Sequence, residues 1–298
     1  MTRITIFSAP KPFLDPHIST IQKNAIRSWI EFGEQADVVL LGNEPGLQQA
    51  AADLNVNIIP RVERNEMGTP LISSLFSLAR QANKNEIMFY VNADIILLPQ
   101  CLPVIIRVHQ QLDNFLLVGR RWDLEVKQEL SFGNGWSEKL LARTSREGRL
   151  RGHTAMDYFI FPRHLYQEIP PFAVGRAGWD NWMIYQAFQQ SWPVINTTAA
   201  IPVIHQNHDY SHLPDGKPHY DLEESYRNVD LGGGISAQYD LLDVDLAFRE
   251  GRIQKVRFSL SRFLRKMERL VIPDQQTGWR WRLTRLLRKT RRRLRQRR

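Results

Sequence analysis

Short apolar runs recur through the first 120 residues, separated by amphipathic stretches, and that alternation restricts the chain to few folds. The runs occupy residues 4–7, 38–41, 56–59, 87–91 and 115–118. Each has strand length and the composition of a buried strand. Between them the spacing predicts helices over 18–32, 47–54, 70–82 and 99–112, two of which open on a proline suited to a first helical turn. A mainly parallel sheet covered by helices follows.

In such sheets ligands bind beyond the carboxyl ends of the strands. Those ends are Ser8-Ala9-Pro10, Gly42-Asn43-Glu44, residues 61–69 and Asn92-Ala93-Asp94. After Arg121 the pattern loosens. Residues 123–152, with the turn-rich Gly133-Asn134-Gly135, read as an excursion of the kind that forms a lid or a mobile loop. A strand over 156–161, a helix over 179–190 and strands near 193–195 and 201–205 come next. Gly232-Gly233-Gly234 has the composition of a hinge or disordered loop. The expected organisation is a catalytic domain over 1–230, a linker over 231–251 and a basic helical tail over 252–298.

A formal charge of +9 suggests a nucleic-acid partner until it is divided along the chain. From Arg252 onward there are 18 Lys and Arg against 2 acids, and the 22 bases and 29 acids before it leave that part at −7. An acidic body repels a phosphate backbone, so no nucleic-acid partner is expected. Cys101 is the only cysteine, which excludes an intrachain disulfide and fits a reducing compartment. With no signal-like or membrane-spanning stretch, a cytoplasmic location is expected.

Three constellations have the residue types that chemistry needs. Asp94 follows a buried run; alone it reads as a helix cap or turn residue. Asp180 stands in Gly178-Trp179-Asp180-Asn181-Trp182, where an acid suits a helix N-terminus and two indoles three apart share a face. Asp157 lies inside a predicted strand, where it must pair with an arginine or line a pocket. Third, residues 204–212 gather His205, His208, Asp209 and His212. Without cysteine partners these do not spell a structural zinc site.

The order of these features, over roughly residues 3–212, resembles nucleotide-sugar-dependent glycosyltransferases of the GT-A type, with Asn92-Ala93-Asp94 in the place of their Asp-x-Asp motif. The resemblance implies a Rossmann-like α/β fold and a nucleotide-sugar donor. It also implies a divalent cation, Mn2+ or Mg2+, that meets the donor's phosphates and Asp94. Asn92 departs from the motif, at a position that in the family more often reaches the ribose or a metal-bound water. Ser8, Ala9 and Pro10 match the first nucleotide-contacting loop, Asn43 and Glu44 the neighbourhood of the base, and Gly68 and Thr69 that of the ribose and acceptor. Asp180 takes the position of a general base and Asp157 that of an acceptor-side residue. His205 or His208 is the further metal ligand.

A sugar-phosphate nucleotidyltransferase is the competing enzyme class, although Ser8-Ala9-Pro10-Lys11-Pro12 is proline-rich where those enzymes carry glycine. The remaining alternatives are a catalytically inactive relative, given Asn92, and a nucleic-acid-binding protein led by the arginine tail. A dehydrogenase is excluded, since no Gly-x-Gly-x-x-Gly follows the first strand.

In the tail, Val256, Leu260, Phe263, Leu264, Met267 and Val271 recur at helical spacing, as do Trp279, Leu283, Leu286, Leu287 and Leu294, with arginine between them. Two basic amphipathic helices are expected. They suit either the surface of an anionic membrane, as for an enzyme with a glycan or lipid-linked acceptor, or packing of their apolar stripe on the catalytic domain.

Overall fold

The computed structural model describes residues 2–208 and 221–296, with side chains as far as Leu294. The first half runs β1 (Ile4–Ser8), α1 (Pro16–Ile30), β2 (Ala36–Leu41), α2 (Leu47–Asp53), β3 (Asn57–Ile59), α3 (Ile72–Ala82), β4 (Ile87–Val91), β5 (Ile95–Ile96), α4 (Leu102–His109) and β6 (Leu116–Val118). The second half runs β7 (Arg121–Leu124), α5 (Trp136–Glu147), β8 (Arg149–Leu150), β9 (Tyr158–Pro162), α6 (Trp179–Gln189), β10 (Val194–Asn196), β11 (Val203–Gln206), α7 (Glu223–Leu231), β12 (Leu246–Arg249), β13 (Arg252–Lys255), α8 (Leu260–Val271) and α9 (Gly278–Gln296).

Nine strands form one sheet in the order β13-β12-β10-β6-β9-β4-β1-β2-β3. It is mainly parallel, with β9 inserted antiparallel between β4 and β6, and β13 antiparallel at one edge. The expected α/β architecture, a mainly parallel sheet flanked by helices with a basic helical C-terminal extension, is therefore present. Alternation along the central strands sends Ile4, Ile6 and Phe89 to one face, against Ala25 and Trp29 of α1. Phe7, Met88 and Tyr90 go to the other face, with Phe76 of α3 and Trp182 of α6. Helix α1, expected over 18–32, begins two residues earlier because Asp15 caps the Ile18 N–H at 2.8 Å and Pro16 opens the first turn.

Four expectations are corrected. Residues 123–152 are no bare excursion. They contribute β7, α5 and β8 to a second sheet, β5-β11-β7-β8, with its own apolar cluster of Ile96, Leu98, Leu124, Leu140 and Ile204. The glycine triplet is a tight helix exit, where the Gly233 and Gly234 N–H groups return to the Asp230 and Val229 carbonyls. The 231–251 linker and the start of the 252–298 tail hold β12 and β13, so the main sheet continues through both ranges. The predicted helix over 70–82 starts at Ile72 because Pro70 and Leu71 are held in bridges to Arg64 and Ala173.

Helix α8 is docked by its charged face. Arg262, Arg265 and Glu268 are buried, whereas Leu260, Phe263, Met267 and Leu270 are exposed. Arg265 holds Asp243 at 2.7 Å and Glu268 at 2.9 Å, and Arg262 holds Asp245 at 2.8 Å. From α9, Arg288 and Arg291 reach Glu268 at 2.7 and 2.9 Å. Arg269 stacks on the Tyr239 ring, its guanidinium carbon 3.4 Å from the centroid. Burying a lone charge costs several kcal/mol, and this network meets that demand by leaving no member alone.

Burial favours a neutral Glu268, but Arg265, Arg288 and Arg291 outweigh it and lower its pKa. Its contribution is thus present above the ordinary glutamate range and is lost as pH falls through the lowered value. Glu268→Gln leaves three arginines facing a neutral group. It is expected to cost about 3–5 kcal/mol and to expose the arginines of α9 to trypsin; an unchanged thermal midpoint together with unchanged cleavage would disprove the role given to this carboxylate.

Candidate functional site

The site lies where the carboxyl ends of β1 and β4 meet the second sheet. Beyond Val91 the chain turns through Asn92-Ala93-Asp94, closed by the Ile95 N–H donating to the Asn92 carbonyl at 3.1 Å, and enters β5. Register then assembles the rest. In β11, His205 stands opposite Ile95 of β5 on one side and Asp123 of β7 on the other. His208 follows just past the end of that strand, after the Asn207 N–H has bonded the Leu124 carbonyl at 3.0 Å.

One ligand atom from each of Asp94, His205 and His208 falls within a 4.8 Å cluster. The His208 Nε2 is 3.1 Å and the His205 Nε2 3.8 Å from Asp94 Oδ2. Lys11 Nζ, from the loop after β1, lies 3.3 Å from His208 Nε2 and 3.8 Å from Asp94 Oδ2. Burial opposes ionisation of Asp94, but His205, His208 and Lys11 outweigh it and hold the carboxyl well below the usual range. Asp94 Oδ1 is buried with no hydrogen-bond partner. An ionised carboxylate with an unused oxygen beside two imidazoles fits a divalent cation, and the two nitrogen donors suit Mn2+ better than the oxygen-seeking Mg2+. Behind His205, Asp123 Oδ1 lies 3.4 Å from Nδ1, a charge contact without hydrogen-bond geometry on the side of the ring away from Asp94, where it is placed to keep Nε2 toward Asp94.

The floor beneath is fixed by amides. The buried Gln206 side chain donates to the Ile21 carbonyl at 2.7 Å and the Asp94 carbonyl at 3.2 Å, and accepts from Asn24 at 3.0 Å. Asn92 donates to Asp157 Oδ1 at 2.8 Å and accepts from the Tyr90 hydroxyl at 3.1 Å. Asp157 is also paired with Arg121 at 2.6 Å. It therefore meets both expectations at once, an arginine partner and a place in the cavity wall.

That cavity has a volume of about 730 Å³ and brings together Ala9, Pro10, Glu44, Gly68, Thr69, Asn92, Asp94, Asp157, Asp180, His205 and His208 from the sequence reading. Ser8 is buried beneath it, its hydroxyl without a hydrogen-bond partner, and is not in the lining. Asn43 is not in the lining either, because Arg64 binds its side chain at 2.9 Å while reaching Glu44 at 2.7 Å. The loop carrying Gly68 and Thr69 is wound on Asn65, which accepts from the Met67 and Thr69 N–H groups. Asn65 and Arg176 in turn both bind the buried Glu224 of α7, at 2.6 and 2.7 Å.

Asp180 occupies the first turn of α6. Gly178 before it has φ +108°, and a Cβ there would stand 3.1 Å from Val229, so glycine is required by both backbone and space. Trp179 and Trp182 are core residues. Trp179 meets Tyr90 and Phe159 edge-on at 5.0 and 5.4 Å, Trp182 packs on Phe172 at 5.3 Å, and only Trp179 also touches the cavity. Removal from water pushes the Asp180 carboxyl up to about 6, against hydrogen bonds from its own turn and with a smaller push from Asp157.

Sequence reading did not find Asp123, the Glu224 clamp or the Asn24–Gln206 floor. Asp209 and His212 lie outside the described residues. Isothermal titration with Mn2+ is expected to show one site that Asp94→Ala removes and Asp123→Asn weakens by about 10- to 100-fold. Wild-type affinity in Asp123→Asn would rule out the orienting role.

No family model matches this chain, and no curated protein matches it. Among solved structures the chain is similar to glucosyl-3-phosphoglycerate synthase from Mycobacterium tuberculosis. With the form in complex with Mn2+, UDP and glucosyl-3-phosphoglycerate it shares 13% identity over 87% of this chain and 88% of that one, at a TM-score of 0.47. With the form in complex with phosphoglyceric acid it shares 16% identity over 87% and 88%, at 0.48. A structure described only as a mycobacterial protein aligns at 15% identity over 80% of this chain and 75% of that one, with a TM-score of 0.45.

Proposed function

We propose that this protein is a metal-assisted glycosyltransferase that moves a sugar from a nucleotide-sugar donor to an acceptor hydroxyl. The observation that carries the reading is a single cavity holding the Asp94, His205 and His208 cluster together with Asp180, a carboxyl with a raised pKa. Asp94, His205 and His208 would hold the cation, Mn2+ in preference to Mg2+, which supplies positive charge for the departing diphosphate. Ala9, Pro10 and Glu44 line the nucleotide end, Gly68 and Thr69 the ribose side, and Lys11 is placed to turn from Asp94 toward phosphate oxygen.

Asp180 is assigned as general base. It takes the proton of the acceptor hydroxyl as that oxygen bonds to the anomeric carbon, while the bond from that carbon to the nucleoside diphosphate breaks and its electron pair leaves with the phosphate. Attack from the face opposite the leaving group inverts the anomeric configuration. A base must be unprotonated, so activity rises with pH through about 6 and levels above it.

Thermal unfolding with UDP-, GDP- and dTDP-sugars, with and without Mn2+, tests the donor site. One nucleotide family is expected to raise the midpoint in a metal-dependent way in wild type and not in Asp94→Ala. With that donor, Asp180→Asn should cut turnover by about 10²–10⁴-fold and abolish the acidic limb of the pH profile. The same variant should gain stability above pH 6 relative to wild type, because the native site prefers a neutral group there. No shift with any donor, or a pH limb that persists in Asp180→Asn, would count against the assignment.

Attachment to an anionic membrane surface belongs to the same reading. Support comes from the outward apolar face of α8, continued by Trp279 and Leu286 of α9. Phe258 is 82% exposed, Leu270 72% and Trp279 71%. Lys266 and Arg285 are exposed nearby in sequence, and each basic residue near an anionic surface adds about 1 kcal/mol of attraction. No helix among the described residues is long and apolar enough to cross a membrane. Co-sedimentation with phosphatidylglycerol vesicles should be lost in Phe263→Glu/Leu270→Glu, which leaves the buried charge network intact; equal sedimentation of variant and wild type would end the membrane assignment.

A further inference from the structure

We propose that a second, basic cavity beside the donor site binds the phosphate of a phosphorylated acceptor, a reading that rests on the glycosyltransferase assignment and narrows its acceptor. The cavity has a volume of about 1050 Å³ and is built by β8 of the second sheet, β12 next to the edge strand of the main sheet and the chain entering α8, with Leu294 of α9 at one side. Arg149, Arg249 and Arg257 project from these three places, and no Asp or Glu is in the lining.

Arg149, Arg249 and Arg257 are exposed at this cavity. Half-buried Arg121 and buried Arg265 are matched to Asp157 and Asp243, and half-buried Arg80 to backbone carbonyls. Arg149, Arg249 and Arg257 form no ion pair with any described residue. Arg149 and Arg249 belong to the part of the chain before Arg252, which carries a net −7, so two of the three cations stand against the charge of their own stretch. Like charges facing one cavity raise the energy of the empty site and focus a positive potential in it. Guanidinium forks meet phosphate oxygens in pairs, which selects phosphate over a monodentate anion.

Position supplies the link to the reaction. Arg151, Thr154 and Ala155 line both cavities. A molecule with its phosphate among Arg149, Arg249 and Arg257 can pass this shared wall and present a hydroxyl to Asp180. Two sources offer such a phosphate: a soluble phosphomonoester, or a lipid headgroup, for which the exposed Phe258 in the same lining provides an apolar lip.

The probes are sn-glycerol 3-phosphate, by titration calorimetry, and phosphatidylcholine vesicles doped with phosphatidic acid, by sedimentation. Wild type is expected to bind at least one of them. Arg149→Gln/Arg249→Gln/Arg257→Gln should weaken that binding at least about tenfold while keeping the Mn2+-dependent midpoint shift with nucleotide, which also shows that the variant folds. Asp94→Ala should bind the phosphate as wild type does. Binding of glycerol 3-phosphate identifies a soluble acceptor, and binding confined to the doped vesicles identifies a lipid phosphate. No binding of either probe, binding untouched in the triple variant, or binding lost equally in Asp94→Ala would overturn the proposal. A missing nucleotide shift in wild type would instead remove the glycosyltransferase reading and leave the phosphate site standing.

Discussion

An ionised carboxylate at the end of a buried strand is the constraint around which the catalytic half is organised. Asp94 emerges from β4 into a volume where water is scarce, and only positive neighbours make its charge tolerable. Those neighbours come from distant stretches: Lys11 from the loop after β1, His205 and His208 from beyond residue 200. What brings them is register. Because side chains alternate along a strand, a slip of one residue in the pairing of β11 would exchange His205 for Ile204 and turn the imidazole into the apolar cluster beneath the second sheet. The small sheet β5-β11-β7-β8 is therefore the device that brings His205 and His208 to Asp94, and the Gln206 amide locks its position against α1.

The same accounting of buried charge explains the orientation of the C-terminal helices. Helix α8 could have buried its apolar stripe and gained roughly 25 cal/mol for each Å² covered. Doing so would have stranded Asp243 and Asp245, which the preceding turn leaves facing this helix. Unmatched carboxylates outweigh a few exposed aliphatic side chains, so the arginines go inward and the hydrophobic stripe goes out. Amphipathicity alone identifies the two faces of a helix; it does not say which one is buried when the surface opposite is acidic.

That distinction marks the limit of what the sequence makes legible. Strands β1, β2, β4 and β6 and helices α1, α3 and α6 are readable because hydrophobic period and helix-start chemistry are local. Asp94 stands out at the end of a buried run, Asp180 beside two indoles at a helix start, and the two histidines within a short histidine-rich stretch; their order along the chain, more than any one of them, makes them legible. Asp123 sits in an ordinary-looking Arg-Trp-Asp-Leu strand and acquires meaning only from its neighbour across β11, a pairing between residues 82 apart in sequence. Glu224 likewise becomes a clamp only when α7 is folded against Asn65 and Arg176. Ser8 and Asn43 err in the opposite direction: each is one position from a residue that lines the cavity, and loop register decided against it.

Joining two anionic molecules poses an electrostatic problem that the two-cavity arrangement addresses. A nucleoside diphosphate and a phosphorylated acceptor repel each other at the separations a transfer reaction requires, and the repulsion grows as water is excluded. Holding each anion in its own cationic recess would let the acceptor oxygen approach the anomeric carbon while the negative charges stay apart. Arg151 stands in the wall between them, its guanidinium paired with Asp123 at 3.2 Å, so the residue that separates the anions is tethered to the carboxylate that orients His205. A load on the acceptor side is thereby in contact with the metal side through one arginine and one aspartate. Strand β8 is two residues long; its first residue, Arg149, lines the basic cavity and Arg151, just beyond it, lines both cavities.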